Sequence, residues 1–141
     1  MRKILYFILF AAAFSCAGEL AEKQMAKFVD FVKKQKYEDA TSSLMDHVYA
    51  FENSDAAKNN AVVFYAGKMK EFTRQHGKPL GFTKWRTRTL AKNMEEIVFQ
   101  INCEKSAWML EIHEYVGDDG KHRFGDIRYV TEEDIFKAYA K

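Results

Sequence analysis

From Gly81 to Val130 apolar and polar residues alternate with a period of two, and turn-like breaks divide the alternation into four stretches. The predicted strands are Phe82 to Leu90, Glu96 to Glu104, Ala107 to Val116 and His122 to Val130, joined at Lys92-Asn93, Glu104-Lys105-Ser106 and Gly117-Asp118-Asp119-Gly120. Ile97, Phe99, Ile101 and Cys103 share one face of the second strand, and Trp108, Leu110 and Ile112 share one face of the third. This is the pattern of an antiparallel meander with one buried face. In the first strand Lys84, Arg86 and Arg88 alternate with Trp85, Thr87 and Thr89, which predicts the basic trio on one face and Trp85 on the other.

N-terminal to the strands the period is helical. Ala21, Met25, Phe28, Val29 and Val32 form a stripe within Glu19 to Gln35, opposite Glu22, Lys23, Lys27, Lys33 and Lys34. A second, short helix follows Lys36, with Tyr37, Ala40, Thr41 and Leu44 on one side. His47 to Asn53 fits either a short strand or the descent from that helix. Asn53 or Ser54 then caps a third helix, whose expected inner face runs through Ala57, Ala61, Phe64, Tyr65, Lys68, Met69 and Phe72 to about His76. Gly77 and Pro79 supply its left-handed end and its stop. After the last strand, Thr131-Glu132-Glu133-Asp134 reads as a further helix start, continuing through Ile135, Phe136 and Tyr139.

The first residues do not belong to this scheme. Arg2 and Lys3 precede an uncharged run, Ile4 to Phe14, that ends in small residues and lacks the polar face a helix of a small domain needs. Basic, apolar and small-residue parts in this order are those of a secretory signal, so 1–17 is read as a signal peptide and 18–141 as one domain. Ser15-Cys16-Ala17 suits ordinary cleavage before Gly18, whereas Ala13-Phe14-Ser15-Cys16 resembles a lipobox that would make Cys16 a lipid anchor. The expected location is therefore the periplasm, free or tethered to a membrane. Without Arg2 and Lys3 the 22 basic residues become 20 and balance the 20 acidic ones, which removes the electrostatic case for nucleic acid as a partner. Cys103 then has no disulfide partner except Cys16, and its apolar position reads as a small buried hydrophobe.

Candidate chemistry is sparse. Asp30, Asp39, Asp46, Tyr37, Tyr65 and Tyr115 supply residue types for acid–base work, but no spacing selects a pair, and the acids lie mostly on polar helix faces. No catalytic residue is singled out. Asp126 interrupts an apolar strand and is expected to point outward, paired with Arg128 or another basic neighbour. His47, His76, His113 and His122 show no ligand spacing with each other or with Cys103, so neither metal nor cofactor is expected; only His113 and His122 could meet, across the last hairpin. Asp118-Asp119 has too few oxygen ligands in register for calcium. A sheet covered by helices on one side leaves its other face to water or to a partner. There Lys84, Arg86, Arg88, His113 and Tyr115, with Val98 and Met109, form the candidate binding surface for a second copy of the chain or another envelope protein. Cross-strand pairing with Glu95, Glu96 or Glu104 explains the basic trio equally well.

Phe28-Val29-Asp30-Phe31-Val32, followed by Tyr37-Glu38-Asp39-Ala40 and Leu44, resembles the opening helix pair of the cystatin-like superfamily, which includes the nuclear transport factor 2-like proteins. Arg123-Phe124-Gly125-Asp126-Ile127 resembles the closing strand of these domains. The resemblance is to small exported bacterial domains of unknown function, and it implies an α+β fold with N-terminal helices packed on a four-stranded antiparallel meander. It also implies a cone between sheet and helices. A cone filled by Trp85, Phe99, Trp108 and Phe64 would make the protein a binding or interaction module. An open cone with an inward acid, tyrosine or histidine would make it a small-molecule enzyme of the isomerase or dehydratase kind.

Overall fold

The computed structural model describes residues 18–130. The expected signal segment with Cys16 and the expected helix start at Thr131 lie outside the described residues. Helices α1 (Glu19–Lys33), α2 (Tyr37–Met45) and α3 (Asp55–His76) precede strands β1 (Pro79–Ala91), β2 (Met94–Cys103), β3 (Ala107–Val116) and β4 (His122–Val130). The strands form one antiparallel sheet in sequence order. The α+β architecture is the expected one.

Helix α1 buries the predicted stripe Ala21, Met25, Phe28, Val29 and Val32, with Glu19 and Glu22 in its first turn and Lys33 in its last. In α3, Ser54 is the cap, its Oγ accepting from Ala57 N at 3.3 Å. The helix ends at Gly77, whose φ of +84° and 2.9 Å approach of a would-be Cβ to Glu104 Cβ both require glycine. His47 to Asn53 forms neither a strand nor an extension of α2. Val48 bridges Phe124 in parallel, Phe124 N donates to His47 O at 2.8 Å, and Tyr49–Phe51 then forms a 3-10 turn.

The inner face of α3 agrees with expectation at Met69, which is buried, and at Ala61, Tyr65 and Phe72, which pack against the core, and departs from it elsewhere. Val62, Ala66 and Met69 are buried, while Ala57 is exposed and Phe64 stands 59% exposed. Ala61 to Ala66 is an unbroken apolar run, so the sequence offers two adjacent stripes and only tertiary contact chooses between them.

Across the sheet Ile97, Ile112 and Ile127 align, as do Phe99, Leu110 and Tyr129, with Trp108 opposite Ile101. This face meets the helices. The basic trio of β1 does not share a face: Lys84 pairs with Phe99 but Arg86 pairs with Val98, because Trp85 is an extra residue in a bulge. Lys84 therefore lies on the helix side, where its Nζ reaches Glu22 at 3.0 Å, and only Arg86 and Arg88 point outward. The outer face is also less exposed than predicted. Val98 and Met109 retain 2% and 7% of their surface, flanked in the ladder by Arg86 and Glu111 and by Gln100 and Val130.

Candidate functional site

Among the described residues, three places are candidates for a site. On the outer face Glu96 is buried between strands, and both its oxygens are engaged: Arg86 Nη2 donates to Oε1 at 2.7 Å and Arg88 Nη2 to Oε2 at 2.8 Å. His113 Nε2 lies 2.8 Å from Glu111 Oε1 and 3.9 Å from Glu96 Oε2. Glu96, Glu111 and His113 lie close enough to share a cation, within 4.8 Å of one another. Such a cation would first have to displace two guanidinium groups from Glu96, so the arrangement fits an ion-pair network better than a metal centre. Of the five predicted surface residues, Arg86, Arg88 and His113 meet here. Tyr115 is further along β3, edge-on to Tyr49, and burial raises the pKa of its hydroxyl.

The second place is inward. Glu114 is fully buried; its Oε2 accepts from Ala21 N at 2.8 Å and its Oε1 lies 2.7 Å from His122 Nδ1. The cap residue of α1 is Gly18, which offers no side chain, so a carboxylate 93 residues from Ala21 satisfies that first-turn N–H. His47 lies nearby, edge-on to Phe124, and burial lowers its pKa. His113 and His122 do not meet, because they point to opposite faces of the sheet. Asp126 points outward and pairs with Arg128 at 2.6 Å, as expected. Asp119 in the last hairpin is taken by Arg123 and Lys121 N, and these bonds hold its pKa well below the usual range. Arg123 also bonds Glu52, which ties the hairpin to the 3-10 turn.

The third place is an open cleft of about 450 Å³ between the start of α2 and the middle of α3. Lys36, Tyr37 and Asp39 line one side, and Val63, Gly67 and Lys70 the other. A Cβ on Gly67 would meet nothing within 4 Å. Glycine inside a helix costs about 0.8 to 1 kcal/mol relative to alanine. Gly67→Ala is therefore expected to raise the stability of the chain by up to about 1 kcal/mol, read from the urea midpoint. A loss would show a contact at this position that the space above it does not suggest.

No family model and no curated protein matches the chain. Among solved structures, a Campylobacter jejuni protein described as a "Putative NTF2-like transpeptidase" superposes with a TM-score of 0.55 at 11% identity, over 75% of this chain and 97% of that one. The fold is nuclear transport factor 2-like.

The cone of this nuclear transport factor 2-like domain is packed with rings. Trp108 stacks on Phe72 at 5.3 Å, meets Phe28 at 6.2 Å and Tyr129 at 5.8 Å, and Phe82 meets Phe99 at 5.7 Å. Burial raises the Tyr129 hydroxyl far above its ordinary pKa. Two residues expected as filling are elsewhere: Phe64 faces outward on α3, with Lys68 over its ring at 5.6 Å, and Trp85 is largely exposed. Cys103 lies half-buried at the end of β2, and burial raises its pKa, so its thiol is not poised as a nucleophile. The sequence did carry a signal for Glu114, which follows Trp108, Leu110 and Ile112 on the apolar face of β3. The cleft had none, because its two sides come from separate helices.

Proposed function

We propose that the protein is an exported binding module of the bacterial envelope, and that it holds a polypeptide partner across α3 and in the cleft beside it. The ring packing around Trp108 carries this reading: a cone filled by side chains of α1, α3, β3 and β4 serves stability and leaves binding to the outside. The cleft is open, has charges of both signs at its rim, and has an apolar floor at Val63, Ala66 and Gly67. Small molecules favour enclosed pockets that bury most of their surface. An open trough of mixed polarity suits a peptide segment, and Val63 and Phe64, 63% and 59% exposed, extend its apolar surface. The transpeptidase activity in the Campylobacter protein's name is not taken over, since a likeness at 11% identity concerns the fold alone.

A photo-crosslinking amino acid at Val63 tests the reading in cells that express the full chain. The expected result is a discrete adduct with one polypeptide in the envelope fraction, lost when Gly67→Gln fills the cleft. No adduct, or the same adduct from a probe at Asp118 in the far hairpin, would reject the cleft as the site. The fractions also decide the anchor: Cys16→Ser releases a lipoprotein from the membrane or blocks its processing, and leaves a periplasmic chain beginning at Gly18 unchanged.

A further inference from the structure

Strand β1 slips against β2 at three places: between Pro79 and Gly81, between Lys84 and Arg86, and between Thr89 and Ala91. The residues passed over are Leu80, Trp85 and Leu90. All three are large and apolar, all three are well exposed (61%, 41% and 40%), and they recur at every fifth position. A bulged residue leaves the ladder and is re-aimed relative to its neighbours. The same stretch, 78–92, carries Lys78, Lys84, Arg86, Arg88 and Lys92 and contains no acid. It also forms one edge of the sheet.

Bulges and cations at an edge are ordinary protection against strand-to-strand association. Protection does not explain the occupants of the bulges, since three exposed large apolar side chains work against it. We propose that this edge is a contact for an anionic membrane surface, with Leu80, Trp85 and Leu90 entering the interface and the cations beside them meeting lipid phosphates. Successive apolar residues stand roughly 16 Å apart, from five residues at about 3.3 Å each. A protein partner would need three matching pockets along that line, whereas a bilayer interface admits separate apolar side chains at any spacing. Tryptophan favours the headgroup region, and clustered lysine and arginine favour acidic lipid. Lys84 and Arg88 pair with Glu22 and Glu96 but keep much of their surface, so they can reach phosphate while retaining or exchanging those partners, whereas Arg86 is mostly buried on Glu96 with its guanidinium 5.5 Å over the Trp85 ring and is not one of the lipid-facing cations. The inference depends neither on the α3 cleft nor on export.

The chain 18–141, which holds all the described elements, would be sedimented with phosphatidylcholine vesicles prepared with or without phosphatidylglycerol. Binding is expected only to the anionic vesicles and should weaken with added salt. Leu80→Ser, Trp85→Ser and Leu90→Ser together should lower the partition constant by about tenfold or more, without a fall in melting temperature. In the unaltered chain the iodide-accessible emission, which exposed Trp85 supplies and buried Trp108 does not, should shift to the blue and be quenched by brominated acyl chains, an arm that does not depend on the variant folding. Absence of vesicle binding, equal binding by the folded triple variant, or failure of the brominated chains to quench that emission in the bound parent would overturn the proposal. Binding to soluble polyglutamate or self-association, either one without vesicle binding, would point to a protein partner at this edge and would overturn it too.

Discussion

Replacing Trp108 by alanine is expected to cost about 3 to 5 kcal/mol, the range for truncating a buried large aromatic. The indole is almost fully buried and meets rings from three elements, Phe28 in α1, Phe72 in α3 and Tyr129 in β4, and it sits opposite Ile101 on the neighbouring strand. Its removal therefore leaves a cavity between elements that cannot close over it without the helices moving on the sheet. Domains of this size have about 5 to 15 kcal/mol in total, so the variant should unfold at a much lower urea concentration, followed by circular dichroism. Phe64→Ala is the matching control, since Phe64 stands exposed on α3. It should cost less than about 1 kcal/mol, as exposed sites do. Equal losses from the two variants would mean that the inner face of α3 has been assigned wrongly.

That contrast also marks what can be read from the chain. The bounds of β3 and β4 agree with those expected, because turn residues close the hairpin between them and β3 alternates throughout; in β4 a bulge at Gly125 moves the inward phase from Phe124 to Ile127 without moving the ends. In β1 the alternation was present but misleading. Three bulges shift the face at each slip, and a period-two pattern drawn through Lys84, Arg86 and Arg88 has no means of showing a residue that drops out of the ladder. In α3 six consecutive apolar residues, Ala61 to Ala66, permit two inner faces that differ by about one residue's rotation, and periodicity alone does not show that Phe64 faces outward. The outer-face network was half legible, since Glu96 was among the carboxylates expected opposite the basic trio. Its burial with two guanidinium groups on it depends on packing that local spacing does not encode.

Glu114→Ala is expected to cost about 3 kcal/mol, through loss of a buried acceptor and not of apolar packing. One oxygen of the carboxylate holds Ala21 N in the first turn of α1, and the other holds His122 at the start of β4. Alanine leaves a buried backbone N–H without its acceptor, which costs about 1 to 3 kcal/mol alone, and opens the interior where a paired charge stood. Glu114→Gln keeps an acceptor of similar shape and should lose less than half as much. A local measurement distinguishes this cause from general weakening: amide exchange at Ala21 should accelerate in the alanine variant beyond the acceleration seen at Ile112 in mid-sheet. If Ala21 exchanges no faster than Ile112, Glu114 does not cap the helix. If glutamine costs as much as alanine, the contact between the carboxylate and His122 is the larger contribution. A carboxylate that ties the first helix to the start of the last strand has a structural task, which is why an inward acid beside a histidine does not by itself argue for an enzyme here.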